Sequence, residues 1–231
     1  MIPLSDVPKE ALPQIEEFMD TFYYPAKAQA IVKGFGREKA YLVLTVQTQK
    51  GSTSKFFDLV ADSGGMVRFY LGLWARGKAK CYFNLGYRNV NLGAYKRGSF
   101  EHVMGIPGLW LDIDIAGPNH VEKRLPQSLE EAKSLVIEAM PDHPPTHLVY
   151  SGGGLHVYHI FQKPWFFKDA DEKEKAQLML RGLYLRTQAA AQKHGWKIDN
   201  CSDLARLLRV PGTYNMKDAA NPRLVEISIW N

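Results

Sequence analysis

Cysteine is almost missing from this chain: Cys81 and Cys201 are the only two in 231 residues. That excludes a disulfide framework and a cysteine-rich zinc module, and it fits a reducing compartment. Apolar runs are short, so no segment reads as a membrane span. The opening residues Met1 to Asp6 carry neither the basic nor the apolar region of a signal peptide. A cytoplasmic location with no membrane partner is therefore expected. Repeats and low-complexity stretches are absent as well. Charge of one sign is not abundant: the formal net charge is +5, a mild basic excess that permits binding to a polyanion. What remains is ordinary globular composition, 45% hydrophobic and 23% charged, with enough chain for a sizeable core.

Hydrophobic spacing predicts a helix from about Pro8 to Phe22, with Asp6 as N-cap and Pro8 in its first turn. Residues 39–47 and 54–61 read as strands separated by a turn at Gly51 and Ser52. A short helix is expected over 64–76, a strand over 78–88 with a break at Gly86, and a polar loop to Phe100. Capping boxes at Ser128/Glu131 and Asp169/Glu172 open two helices, to about Met140 and to Gly195. Between them lie two apolar strands, 146–150 and 155–161, and the chain closes on a strand over 224–230. Strands and helices are interspersed without strict βαβ alternation. The fold class expected is α+β, or mixed α/β, with a mainly antiparallel sheet.

Three stretches carry chemistry. The first is Gly108 to Gly117, a buried strand holding Asp112 and Asp114. Alternation puts Trp110, Asp112 and Asp114 on one face and Leu111, Ile113 and Ile115 on the other. Two carboxylates about 6–7 Å apart repel, and a bridging divalent cation offsets that. Hard oxygen ligands favour Mg²⁺ or Mn²⁺. Trp110 should lie beneath or beside such a site. The second stretch is Ser151 to His156, where Gly152, Gly153 and Gly154 let the backbone approach a phosphate closely. His159, three residues on, points to the opposite face and reads as structural. The third runs from Asp199 to Lys217. Arg206 and Arg209, three apart, read as one helical turn of phosphate ligands, with Asp203 able to pair with Arg206. Asp199 is a further candidate metal carboxylate. Tyr70, Trp74, Tyr82, Phe83, Tyr87 and Tyr95 interleave with basic residues; core packing is the expected fate of Phe83 and Trp74.

The order Asp-x-Asp, Ser-Gly-x-Gly-x-His, then Ile-Asp with Arg-Leu-Leu-Arg-Val-Pro-Gly-Thr-x-Asn-x-Lys resembles the archaeo-eukaryotic primase superfamily over 109–217. The nearest flavour is the primase-polymerases of plasmids, phages and CRISPR-associated systems. The resemblance implies an RRM-like catalytic sheet packed with a second α/β unit, the site lying between them. The division expected is an N-terminal unit over about 1–100 and a catalytic unit over about 101–231, together one catalytic domain and compatible with a piece of a longer protein. It implies a DNA primase or polymerase: template-directed transfer from NTPs or dNTPs onto a 3′-hydroxyl, with two ions of Mg²⁺ or Mn²⁺. By resemblance Asp112, Asp114 and Asp199 are the metal-binding acids, with Asp203 a rival for the third place. Ser151, Gly153, His156, Arg206, Arg209, Asn215 and Lys217 are the nucleotide ligands. Partners implied are a single-stranded DNA template, a primer strand, and a helicase or accessory primase domain. Relatives often carry an arginine in the glycine loop; here glycines fill it, so that charge must come from elsewhere. Tyr87 or Tyr214 is expected near the sugar-selecting pocket. The alternatives are a metal-dependent glycosyltransferase using the Asp-x-Asp motif and a non-catalytic replication-initiator module that binds DNA.

Overall fold

The computed structural model describes residues 7–35, 39–48, 51–117 and 124–230. Asp6 lies outside these; Gly51 and Ser52, expected as a turn, are instead the first residues of a strand and pair with Thr48 and Gln47. Helix α1 (Ala11–Phe18) buries Ala11, Ile15 and Phe18, one face at helical spacing. The chain does not stop near Phe22 as the spacing predicts. A π-helical turn (Met19–Tyr23) carries it into α2 (Tyr24–Val32). The cause is Pro25, which sits in the first turn of α2. Proline in a continuous α-helix would clash with the carbonyl four residues back, and a widened turn relieves that clash.

The other helices are α3 (Gly65–Arg76), α4 (Leu129–Ala139) and α5 (Ala170–Lys193). Both capping boxes form on their serine and aspartate sides. Ser128 Oγ accepts from the Glu131 N–H, and Asp169 Oδ1 from the Glu172 N–H. Their glutamates bond the residue before the cap instead, at the N–H of Gln127 and Lys168. Among the described residues no helix is long and apolar enough to cross a membrane.

Nine strands make one sheet. Its members are β1 (Tyr41–Thr48), β2 (Gly51–Asp58), β3 (Lys80–Asn84), β4 (Tyr87–Arg88), β5 (Val103–Asp114), β6 (His147–Tyr150), β7 (Gly154–Phe166), β8 (Leu207–Arg209) and β11 (Glu226–Ile229). They run in the order β11-β6-β7-β5-β4-β1-β3-β8, with β2 on β1. Strands β9 (Tyr214–Asn215) and β10 (Arg223–Leu224) pair apart from it. Every strand pair described is antiparallel. The protein is thus a mixed α+β fold on an antiparallel sheet, and strands before and after residue 100 share it.

Two expectations change. The segment 202–209 is not helical: it ends in β8, which pairs with β3 at Tyr82↔Arg209 and Phe83↔Leu208. The closing stretch is split at Val225, so β10 and β11 belong to different sheets.

Strand β5 separates two cores. Trp110, fully buried, joins Phe18, Phe22, Phe83 and Tyr158 in the first. Phe22 stands 4.8 Å from Phe83 and 5.2 Å from Tyr158 between ring centroids. Phe83 and Trp74 are buried here, as expected of core aromatics. Leu111 and Ile113 face the second core, built with Ala132, Leu135 and Val136 of α4 and Leu183 and Ala190 of α5. The β5–β7 register breaks between Ile106 and Gly108. Pro107 offers no N–H to the ladder there. At Gly108 a Cβ would lie 2.2 Å from the His159 carbonyl oxygen, so only glycine allows this approach.

Candidate functional site

The register of β5 and β7 builds the site. Asp112 stands opposite His156, and Asp114 opposite Gly154. Both acids follow Trp110 on one face of the strand. That ring is anchored under them, its Nε1–H donating to the Cys201 carbonyl at 3.0 Å. Trp110 therefore lies beneath the site, as alternation predicts.

A cleft of about 130 Å³ opens above. One wall is Asp112, Asp114 and His156 with Ser151 and Gly153 of the β6–β7 hairpin. The other wall is Tyr82 of β3, Arg209 of β8, Asn215 of β9 and Lys217. Strands β7 and β8 are far apart in the order of the sheet, so the sheet curls to bring them across one cavity. Eight of the residues singled out in the sequence meet here, drawn from three separate stretches.

The cleft is electrostatically unfinished. Asp112 keeps a third of its side chain exposed, yet burial pushes its carboxyl up to about 6. Arg206 pulls against burial, Asp199 adds to it, and Arg209 and Lys217 pull down again. Burial pushes His156 down to about 3, and the Arg209 charge adds to that. The imidazole is therefore neutral at pH 7. Its Nε2 lies 3.8 Å from Asp112 Oδ1, too long for a hydrogen bond. Its Nδ1 is buried with no partner among the described residues, and so is Nη1 of Arg209. The Arg209 guanidinium lies over the Tyr82 ring at 5.1 Å. Buried donors without acceptors are costly, and a polar ligand in the cleft supplies acceptors.

The hairpin is held in place from behind. Ser151 Oγ donates to the Gly154 carbonyl at 3.1 Å, and Gly152 takes φ +82°. Asn215 Nδ2 donates to the Ser151 carbonyl at 2.7 Å, and its Oδ1 accepts from the Lys217 N–H. Asn215 is thus a positioning residue, its amide occupied by the hairpin. No backbone carbonyl among the described residues accepts from the Gly152 or Gly153 N–H.

Three predicted residues stay outside the cleft lining. Asp199 is exposed on the loop after α5, though its charge acts on Asp112. Asp203 is exposed too, its Oδ2 2.9 Å from Arg206 Nε. Arg206 and Arg209 do not share a helical turn. A strand beginning at Leu207 sends Arg209 into the cleft and leaves Arg206 beside Asp203. Tyr87 and Tyr214 line neither the cleft nor the cavity beside it. Tyr87 donates to the Phe22 carbonyl and Tyr214 to Glu10.

Two residues were not singled out for the site. Tyr82 was visible only as one of several aromatics among basic residues; its pairing with Arg209 across β3 and β8 gives it a role. Arg223 had no signal in the sequence, and its Nη1 donates to the Gly152 carbonyl at 2.7 Å.

The donor set suits a hard divalent cation. Asp112 and Asp114 offer carboxylate oxygens on one face, and a cation there offsets the burial of Asp112. Among the described residues no three histidine, cysteine, aspartate or glutamate side chains gather into a ligand cluster. A cation on the pair would complete its shell with water and ligand oxygens, which is how Mg²⁺ usually binds phosphorylated substrates.

No protein-family model, curated protein or solved structure matches the chain.

Proposed function

We propose that the chain is a template-directed nucleotidyltransferase, a primase-polymerase catalytic domain that extends a 3′-hydroxyl from NTPs or dNTPs. The observation that carries this reading is the convergence of Asp112, Asp114, Ser151, His156, Arg209 and Lys217 on one cleft. Carboxylates on one wall and cations on the other fit a metal-bound polyphosphate better than any uncharged substrate. In this reading the sheet around β5 and β7 is the RRM-like catalytic unit, and the segment before residue 100 supplies the second unit through Tyr82.

Asp112 and Asp114 would hold Mg²⁺ or Mn²⁺. The ion would supply charge neutralisation at the α-phosphate and a lowered pKa for the attacking hydroxyl. Asp199, which stands outside the cleft lining, would be the acid for a second ion. The rest is done by the chain's own groups. Arg209, held over the Tyr82 ring, would turn its unpartnered Nη1 to the phosphates. His156 is neutral, so it donates an N–H to a phosphate oxygen and adds no positive charge. Lys217 neutralises charge on the leaving side. The 3′-oxygen bonds to the α-phosphorus as the bond to the β-phosphate oxygen breaks. Pyrophosphate leaves, and the hydroxyl proton passes to water.

The test is extension of a primed single-stranded template by the wild type and by Asp112→Ala and Asp114→Ala, with Mn²⁺ or Mg²⁺. Synthesis in the wild type and its loss in both variants support the reading; synthesis that persists in them sinks it. Transfer from a nucleotide-sugar instead would establish the glycosyltransferase alternative. DNA binding without synthesis, unaffected by chelation, would establish a silent DNA-binding module.

A further inference from the structure

Strand β7 carries the cleft at one end and a groove at the other. Its ladder with β5 pairs Ile160 with Gly108 and Trp165 with Ile106, so residues 161–164 stand against Pro107 alone. A proline that offers no N–H, facing an excess of residues on the other strand, makes a bulge. The bulge lifts Phe161 and Lys163 off the ladder. Between α2 and α5 this leaves a shallow groove of about 450 Å³, against about 130 Å³ for the cleft. None of the residues that line it lines the cleft.

The floor of the groove is apolar and its rim is basic. Phe161, Trp165 and Met179 line it, and Met179 is 40% exposed. An unbranched, polarisable methionine adapts to what it meets. The charged residues of the lining are Lys33, Lys163 and Lys175, with no carboxylate among the described residues. Lys33 reaches over the floor to the Phe166 carbonyl at 3.4 Å. Lys163 and Lys175 form no ion pair among the described residues. Glu172, one turn before Lys175, is committed to the Trp165 Nε1–H, the Lys168 N–H and the Lys168 ammonium. Three cations around an apolar floor, unanswered by the chain's own acids, complement a negatively charged partner.

An apolar centre inside a charged rim is the anatomy of a protein interface. The rings also favour a side chain over a nucleic-acid base. Trp165 meets Phe161 at 63° and Phe167 at 84°, and its N–H is bonded, so it is fixed edge to face within the fold. Base stacking wants a free, flat ring face. We propose that this groove docks an acidic peptide segment of a partner protein. The segment seats an aliphatic or aromatic side chain on Phe161, Trp165 and Met179 and sets its carboxylates against the three lysines. The occupant stays away from the cleft, so it tethers the chain to its partner and leaves the chemistry untouched. The inference goes beyond the nucleotidyltransferase reading and does not depend on it.

The test is fluorescence anisotropy with the full chain and a labelled synthetic peptide that alternates aspartate with leucine around one phenylalanine. Three further probes accompany it: the same peptide with serine at every apolar place, the same peptide with lysine for aspartate, and labelled oligo-dT. The acidic apolar peptide is expected to bind, more weakly as salt rises, and to be at least about tenfold tighter than either altered peptide. The double variant Lys163→Glu/Lys175→Glu is expected to weaken it by at least about tenfold. Both lysines are exposed, and circular dichroism checks that the fold is kept. Should that variant fail to fold, Met179→Asp, at another exposed position, carries the test with the same expected loss. No binding by the wild type, or equal affinity in wild type and variants, overturns the proposal. Equal binding of the serine peptide overturns it too, because charge alone then suffices. Binding of oligo-dT that the same variants weaken, with no binding of the acidic peptide, would make the groove a nucleic-acid site instead. The readout needs neither nucleotide nor metal, so it stands apart from the extension assay on Asp112→Ala and Asp114→Ala.

Discussion

The two faces of β5 are made from adjacent residues and do opposite things. One face sends Leu111 and Ile113 into an aliphatic core against α4 and α5. The other starts the same way, with Trp110 buried among aromatics, and then turns to Asp112 and Asp114. The aliphatic face is closed by helices along its length. The polar face is closed only as far as Trp110, and the cleft begins where its packing ends. A strand buried on both sides thus gives up packing at one end of one face, and the candidate site lies there. The difference is one of coverage: α4 and α5 exclude water from one side, and the cleft on the other is lined by strands and loops with no helix over it.

Breaking the polar end should produce the largest effect. Asp112→Asn keeps the shape and removes the charge, and template-dependent incorporation should fall at least about a thousandfold, roughly 4 kcal/mol of transition-state stabilisation. Single-turnover assays at saturating Mn²⁺ measure it, with circular dichroism to show that the fold persists. Next comes the floor. Trp110→Ala should destabilise by about 3–5 kcal/mol in urea titrations, because a large buried ring and its bond to the Cys201 carbonyl are both lost. Across the cleft, Arg209→Met should raise the KM for nucleotide by about ten- to a hundredfold and leave the urea midpoint nearly unchanged. A KM like that of the wild type would remove Arg209 from the proposed phosphate contacts.

The aliphatic face should respond in stability alone. Ile113→Val should cost about 1 kcal/mol with unaltered kcat, although the residue lies between the two acids. A matching loss of activity would mean that the two faces are not independent. The smallest effect concerns pH. His159, opposite Leu109 on this face, is pushed down to about 4 by burial; the Pro144 carbonyl opposes that and His143 adds to it. The unfolded residue takes its proton near pH 6.5 and the folded one does not. Its contribution is therefore whole above about pH 6.5 and is lost as pH falls towards 4. His159→Gln should shrink the difference between urea midpoints at pH 7.5 and pH 5. Part of the slope should remain, since His156 is depressed in the same way.

Local sequence was a good guide wherever a short-range rule applies. Alternation put Trp110, Asp112 and Asp114 on one face, and the capping residues opened α4 and α5 where expected. The rule failed where neighbours decide. The spacing ends the first helix near Phe22, yet a π-turn carries it on past Pro25. Arg206 and Arg209 have helical spacing, yet β3 claims Leu207 to Arg209 as a strand and sends the two side chains different ways. The acids, the glycine hairpin and Arg209 were legible as separate motifs. Tyr82 and Arg223 were not, because each acquires its place by pairing with a residue distant in sequence.

From sequence alone came the residue types and their strand phase: two carboxylates on one face, three glycines in a row, cations further along. These follow from bonds and periodicities a few residues long. Only the tertiary structure decided that β3 and β8 curl across from β5 and β7, and that Asp199 stands outside the cleft lining. It also decided that Arg223 lies against Gly152. Those outcomes depend on which buried surfaces and backbone groups satisfy one another across the sheet, and no local pattern carries that information.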